Sequence, residues 1–279
     1  MRIAILSGKG GTGKTLVAVN LAVTAGKATY VDCDVEEPNG RLFLKPGKLN
    51  TKIVTTRFPV FDETKCIGCR KCVSFCRFNA LVYIKNKPFV FSEVCHACGG
   101  CALVCPCGAI SENEKPIGVI ECGTCGNIRV ITGCMNLGEV SGVPIIKEAL
   151  SCTREADELI VIDCPPGSGC SVMESVQRTD YCVLVAEPTA FGLHNLEMIY
   201  ELVCLLQKPC GVVINKADGN YAPLDDFCIK HAIPVLCRIP YSEKLAKLCA
   251  KAKIVAMADS EAALLFQMLF ANVMEKAGT

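Results

Sequence analysis

Eight cysteines of this 279-residue chain form two runs with the same spacing, Cys-x2-Cys-x2-Cys-x3-Cys. That spacing is typical of thiolates that bind 4Fe–4S clusters. The second run repeats the first at a constant offset of 29 residues, which indicates a tandem duplication. In two-cluster proteins the fourth cysteine of a run binds the cluster of the other run. The sequence therefore predicts one cluster held by Cys66, Cys69, Cys72 and Cys105, and a second held by Cys76, Cys95, Cys98 and Cys101.

Zinc is the alternative metal for cysteines spaced in this way, although zinc sites usually join two Cys-x2-Cys arms. Pro106 follows Cys105 as in bacterial ferredoxins, which these runs resemble, whereas Arg77 stands after Cys76 in place of the matching proline. His96 lies between two cysteines of the second run, where we expect it beside the cluster or on the surface and not as a ligand.

A glycine-rich loop near the N-terminus has the pattern of a phosphate-binding loop: Gly8, Lys9, Gly10, Gly11, Thr12, Gly13, Lys14 and Thr15. It follows an apolar strand and precedes a helical segment, which is the context that such a loop needs. Its backbone N–H groups and the helix N-terminus would face phosphate oxygens. We expect Lys14 to contact the β- and γ-phosphates of ATP or ADP, and the Thr15 hydroxyl to bind Mg²⁺.

Lys9 resembles the signature lysine of the deviant Walker A ATPases, the MinD/Mrp superfamily of SIMIBI-class P-loop proteins, which includes the nitrogenase iron protein. Other segments share the resemblance. Val-Asp-Cys-Asp at 31–34 with Pro-Asn at 38–39 is similar to switch I, and Ile-Asp-Cys-Pro-Pro-Gly at 162–167 to Walker B and switch II. Glu-Pro-Thr at 187–189 is similar to a stretch of the ferredoxin-containing members, and Ile-Asn-Lys at 214–216 to an adenine-reading segment.

The resemblance implies roles for individual residues. Lys9 would contact the nucleotide of the other subunit, so that ATP closes a homodimer or a dimer with a paralogue. Asp34 would position the attacking water, and Asp163 would hold Mg²⁺ through water. With Lys14 these residues form the predicted catalytic set. The predicted base-binding residues are Asn215, Lys216 and Pro240.

Further cysteines outside the two runs are candidates for a third metal site. Cys122 and Cys125 form a Cys-x2-Cys pair with Cys134 nine residues later, and two such pairs could share a cluster at a dimer interface. A redox pair, a zinc site and inert turn cysteines are the alternatives. Cys170 follows Asp163 by seven residues, the spacing at which the nitrogenase iron protein carries a cluster ligand.

Strands alternating with helical patterns predict the frame that positions these residues. Apolar strands at 3–6, 159–162, 182–186, 211–214 and 235–239 indicate an α/β fold with a mostly parallel sheet, as in P-loop NTPases. The cysteine-dense segment interrupts this alternation. We therefore predict a discontinuous ATPase domain at 1–58 and 116–279, and a small inserted α+β two-cluster ferredoxin domain at 59–115.

Composition narrows the function classes. The net charge of +1 gives no reason to expect a nucleic acid partner, and no apolar run is long enough for membrane insertion. The 22 cysteines without an export signal favour reduced, metal-bound thiols in a reducing or anaerobic cytoplasm over disulfides. The first hypothesis is an ATPase that assembles or matures metallocofactors for a metalloprotein client. The alternatives are ATP-gated electron transfer to a redox partner and a MinD-like partner-positioning switch.

Overall fold

The computed structural model describes residues 1–85, 87–154, 159–219 and 221–278. Its strands are β1 (Arg2–Leu6), β2 (Ala28–Asp32), β3 (Asn50–Phe61), β4 (Leu81–Ile84), β5 (Lys87–Val90), β6 (Ile110–Cys125), β7 (Ile128–Met135), β8 (Ile160–Asp163), β9 (Tyr181–Ala186), β10 (Cys210–Ala217) and β11 (Val235–Pro240). Its helices are α1 (Lys14–Thr24), α2 (Gly40–Leu44), α3 (Lys71–Phe75), α4 (Gly100–Leu103), α5 (Val143–Ser151), α6 (Cys170–Val176), α7 (Ala190–Leu205), α8 (Ala222–Lys230), α9 (Glu243–Ala250), α10 (Val255–Ala258) and α11 (Ser260–Ala277).

Nine of these strands form one sheet in the order β11-β10-β9-β1-β8-β2-β7-β6-β3. The strands from β11 to β7 pair in parallel, and β6 and β3 join the β7 edge in antiparallel orientation. Parallel strands with helices on both faces are apolar throughout, because neither face meets water. All six residues of β9 and all four of β8 are buried. The predicted mostly parallel α/β sheet is confirmed.

Two apolar cores lie on opposite faces of this sheet. Successive side chains of a strand point to opposite faces, so Ala4 and Leu6 of β1 enter one core and Ile3 and Ile5 enter the other. Helices α5, α6 and α7 cover the first core, and α1 and α11 cover the second. The last helix, α11, packs its apolar side, including Phe266, against the sheet. Among the described helices, none has the length and apolar character to cross a membrane.

The antiparallel strands β3 and β6 form a long ribbon that the sequence analysis did not predict. Only the part of β6 from Gly118 onward also pairs with β7, so the ribbon continues past the sheet as two strands. Pro116 lies beside a bulge between Val54 and Thr55, and Pro59 lies in β3 at the sheet edge. Edge strands and bulges tolerate proline because no ladder hydrogen bond is lost there. Helix α3, the hairpin β4–β5 and helix α4 follow within the loop that the ribbon closes, and their separation into a domain at 59–115 stays a prediction.

Candidate functional site

The glycine loop joins the central strand β1 to helix α1. Gly13 has φ 100°, in the left-handed region that favours glycine, and it precedes Lys14, the first residue of the helix. A Cβ atom at Gly13 would lie 2.2 Å from the Asn215 amide nitrogen, so the loop and strand β10 approach each other without room for a side chain. Lys14 is buried, with 6% of its surface exposed. Its positive charge acts on the neighbouring carboxyls of Asp34 and Asp163.

A cavity of about 760 Å³ lies along this loop at the carboxyl ends of neighbouring parallel strands. Strand β8 pairs with both β1 and β2, which brings the segments after all three strands to one edge of the sheet. The predicted residues that line the cavity are Gly10, Gly11, Gly13, Lys14, Thr15 and Asp34. Pro165 and Pro166 also line the cavity, as does Cys249 near the end of α9.

Buried carboxylates lie beside the cavity. Asp163 ends β8, and its Oδ2 accepts a hydrogen bond of 2.9 Å from the Tyr30 hydroxyl. Asp32 accepts hydrogen bonds from the backbone N–H groups of Gly40 and Asp34, at 2.9 and 3.2 Å, and so holds the loop after β2. Asp163 Oδ1 is buried and has no hydrogen-bond partner among the described residues. A buried carboxylate oxygen beside a phosphate loop fits Mg²⁺, which takes oxygen ligands and keeps several of its waters.

The pKa values of these carboxyls follow from burial and from Lys14. Burial raises the pKa of Asp163, and the nearby Lys14 charge and Thr15 hydroxyl oppose the increase. Burial also raises the pKa of Asp34 to about 6, with Asp163 adding to the effect and Lys14 opposing it. An extra cation in this cluster would favour the ionised carboxylates. The cluster therefore has the electrostatic character of a cation site.

Lys9 points to a carboxylate of its own chain. Its Nζ lies 2.7 Å from Glu187 Oε2 and 5.4 Å from the centre of the Phe191 ring. Glu187 Oε1 lies 2.6 Å from Lys216 Nζ, which also donates a hydrogen bond of 2.8 Å to the Gly11 carbonyl. Partial burial raises the pKa of Glu187, but Lys216 and Lys9 together hold it below its ordinary value. The 187–189 segment carries a family resemblance in the sequence, but the pairing of Glu187 with both lysines is visible only in the structure.

Asn215 and Pro240 do not line the cavity that the structure describes. The Asn215 amide nitrogen donates a hydrogen bond of 2.6 Å to the Thr12 carbonyl, and the side chain is buried. Pro240 ends β11 opposite Ala217 and is exposed. In this structure Asn215 braces the phosphate loop, and the predicted contacts of these two residues with the base stay predictions.

The eight repeated cysteines line two separate cavities, one for each predicted quartet. The first cavity contains Cys66, Cys69, Cys72 and Cys105, together with Cys107. The second, of about 230 Å³, contains Cys76, Cys95, Cys98 and Cys101. No three His, Cys, Asp or Glu side chains of the described residues converge as ligands of a single metal ion. A 4Fe–4S cluster binds one thiolate at each of its four irons, so its ligands surround a volume. Each quartet lines one cavity, of about 20 Å³ for the first quartet and about 230 Å³ for the second, and the binding of clusters there stays a prediction.

The structure does not bring the candidate third-site cysteines together. Cys122 packs against one core and Cys125 against the other, because residues three apart on a strand lie on opposite faces of the sheet. The thiol of Cys122 lies near Cys152, and burial and this neighbour raise its pKa. Cys170 is exposed at the start of α6, in the segment after Asp163. The Cys122 and Cys125 thiols of one chain therefore cannot share a metal ion in this arrangement.

Comparisons with known proteins agree with the α/β nucleotide-binding fold. Residues 3–255 match the family described as CbiA, the CobQ/CobB/MinD/ParA nucleotide binding domain. The uncharacterised protein MJ0578 of Methanocaldococcus jannaschii is 29% identical over 281 residues, covering 99% of this chain and 97% of that protein. The septum site-determining protein MinD of Pyrococcus horikoshii, solved with Mg-ADP, has the same fold, with a TM-score of 0.63, 18% identity, and coverage of 99% of this chain and 97% of MinD. An uncharacterised ferredoxin of M. jannaschii, MJ0722, is 38% identical over 55 residues, covering 18% of this chain and 71% of the ferredoxin.

Proposed function

The chain belongs to the CobQ/CobB/MinD/ParA nucleotide binding domain family, and from this premise we propose that it is an ATP-hydrolysing iron–sulfur protein. We infer that its nucleotide cycle acts on two 4Fe–4S clusters, and that it serves metallocofactor assembly or maturation. The observation that carries the proposal is the arrangement of eight cysteines around two cavities in a chain whose phosphate loop borders a third. The inserted ferredoxin domain at 59–115 is part of this proposal.

The residues around the large cavity account for hydrolysis by positioning and charge. Backbone N–H groups of the loop and the α1 N-terminus hold the phosphates, and Lys14 neutralises charge that develops during transfer. Thr15 and Asp163 would hold Mg²⁺, which supplies further charge neutralisation when it is bound. Asp34 accepts a hydrogen bond from the attacking water and orients it toward the γ-phosphate. In the predicted catalytic set, Lys14, Asp34 and Asp163 act in this way. The fourth member, Lys9, would act on the nucleotide of the other subunit.

The raised pKa of Asp34 predicts how the rate of ATP hydrolysis depends on pH. Its pKa of about 6 means that the carboxylate that orients water is lost as the pH falls below 6. We expect kcat/KM for ATP to fall by about tenfold for each pH unit below 6, because this parameter reports groups of the free enzyme. The folded state binds this proton more tightly than the unfolded state does, so this group stabilises the fold as the pH falls from 6 toward 4. Protonation of Asp34 itself therefore lowers the rate without destabilising the fold. Steady-state measurements of kcat/KM between pH 5 and 8 test this prediction. An Asp34→Asn variant that kept the wild-type rate and the same decrease below pH 6 would contradict it.

Paired strands connect the nucleotide cavity with the thiol cavities. Asp34 follows β2, β2 pairs with β7, and β7 pairs with β6, which runs outward to Ile110 beside the first thiol cavity. A shift of the loop after β2 on hydrolysis would therefore act on the ribbon through continuous hydrogen bonds. This is the route by which we propose that ATP controls the clusters.

Electron transfer is the second candidate function, because a relative that matches part of this chain is named a ferredoxin. The two functions differ in the fate of the metal. An assembly protein releases iron and sulfide to an acceptor protein in step with hydrolysis, whereas an electron carrier keeps its clusters and changes only their oxidation state. We favour assembly, with the electrons of the clusters used in maturation.

Anaerobic purification followed by iron, sulfide and zinc analysis tests the proposal. We expect about eight irons and eight sulfides per chain, as two 4Fe–4S clusters require. Mixing this protein with an apo-ferredoxin acceptor, with and without MgATP, should move iron to the acceptor only when ATP is hydrolysed. Zinc in place of iron would contradict the cluster assignment, and iron that stays bound while ATP drives reduction of the acceptor would favour electron transfer.

A further inference from the structure

A fifth cysteine lies at the first thiol cavity. Cys107 lines this cavity with the predicted quartet, and its Sγ lies 3.8 Å from Sγ of Cys105. The Cys105-Pro106-Cys107 sequence places both thiols in one turn after α4. The first cavity therefore offers more thiols than one 4Fe–4S cluster has irons.

The second cavity has no such thiol at the matching place. Cys76 is the tandem counterpart of Cys105, and the residue two positions after it is Phe78. The Phe78 ring lines the second cavity and stacks on His96, with ring centres 3.9 Å apart. The duplication therefore produced two cavities that differ in this one ligand position.

We propose that Cys107 is an alternative fourth ligand of the first cluster and that it can replace Cys105. This inference rests on the proposed cluster function. In the exchange an iron–sulfur bond to Cys105 breaks and one to Cys107 forms, while a proton moves from the Cys107 thiol to the Cys105 thiolate. No electron changes place, so the step needs no oxidant or reductant.

Backbone contacts favour Cys105 as the resident ligand. The N–H of Ala109 donates to Cys105 Sγ at 3.3 Å, and such donors stabilise a thiolate that binds a cluster. Cys107 is thus the reserve ligand, and the first cluster has one corner whose ligand can change without loss of the other three. An exchangeable corner suits a cluster that is passed on, so we infer that the first cluster is the transferable one.

Alanine variants of the matching cysteines test this inference, because alanine offers no ligand atom. We expect Cys105→Ala to keep about eight irons per chain, with a changed electron paramagnetic resonance spectrum of one reduced cluster. Cys76→Ala, the matched control, should hold clearly fewer than eight irons and lose the spectrum of one intact 4Fe–4S cluster, as should the double variant Cys105→Ala/Cys107→Ala. Cys107→Ala alone should keep about eight with an unchanged spectrum.

The outcomes separate the inference from the proposed function. If Cys105→Ala loses a cluster as Cys76→Ala does, Cys107 does not replace Cys105. If the double variant keeps both clusters, another group supplies the ligand and the inference is equally wrong. ATP affinity of each variant reports whether the fold is intact. A wild-type protein without iron would overturn the proposed function itself, before any variant is compared.

Discussion

Replacement of Lys14 by alanine should reduce ATP turnover by at least about a hundredfold, the cost of removing one charge-stabilising group from a transition state. Lys14 is buried at the N-terminus of α1 and lines the nucleotide cavity. Its charge opposes the raised pKa values of Asp34 and Asp163. The variant therefore loses the phosphate contact and also leaves both carboxyls more readily protonated. Phosphate release at saturating MgATP measures the effect.

The same variant should keep its iron. Lys14 opens a helix of the main sheet, whereas the thiol cavities lie at the outer end of the β3–β6 ribbon. Alanine is the best helix former, so α1 itself should persist. Lys48→Ala is the matched control, because Lys48 is exposed in the segment before β3. Loss of both turnover and iron in Lys14→Ala, but not in Lys48→Ala, would show that the two sites do not fold independently.

Local spacing is what allowed the loop and the cysteine quartets to be predicted. A phosphate loop is one turn between a strand and a helix, so its residues are consecutive in sequence. The quartets are likewise set by short spacings and by one duplication. The parallel strands were recognisable because burial on both faces makes them continuously apolar. These features needed no knowledge of long-range packing.

The ribbon was not predicted because its residues show neither a local motif nor a continuous apolar run. Seven of the twelve residues of β3 are exposed, and the strand mixes threonine, lysine and arginine. Strand β6 contains the charged Glu112, Glu114 and Lys115. Without knowledge of β6, the spacing of Cys122 and Cys125 allowed a third metal site, with a redox pair and inert turn cysteines as alternatives. Once β6 is known to be a strand, its period of two places the two thiols on opposite faces. Glu187 was missed for a different reason: its partners Lys9 and Lys216 are brought to it only by the pairing of β9 with β1 and β10.

Replacement of Lys9 by alanine should abolish dimerisation driven by ATP. We propose that Lys9 contacts the nucleotide of the other subunit, and in a two-fold dimer this contact occurs twice. A hydrogen bond to a charged group contributes about 1.5–3 kcal/mol, so losing two weakens the dimer by at least about a hundredfold. Sedimentation with a non-hydrolysable ATP analogue should show wild type and Lys48→Ala as dimers and Lys9→Ala as a monomer.

A substitution of Glu187 should have the opposite effect on dimerisation, because the Glu187 carboxylate holds Lys9 within the chain at 2.7 Å. Phosphate must displace this carboxylate before Lys9 can reach across an interface, and a neutral amide competes less for the ammonium group. Glu187→Gln should therefore dimerise at a lower concentration of the analogue than wild type does, while Lys9→Ala/Glu187→Gln should stay monomeric. If Glu187→Gln instead needs more analogue, the ion pair positions Lys9 for the partner subunit and does not restrain it. If Lys9→Ala dimerises as wild type does, Lys9 has no role across the interface and its ion pair with Glu187 serves its own phosphate loop alone.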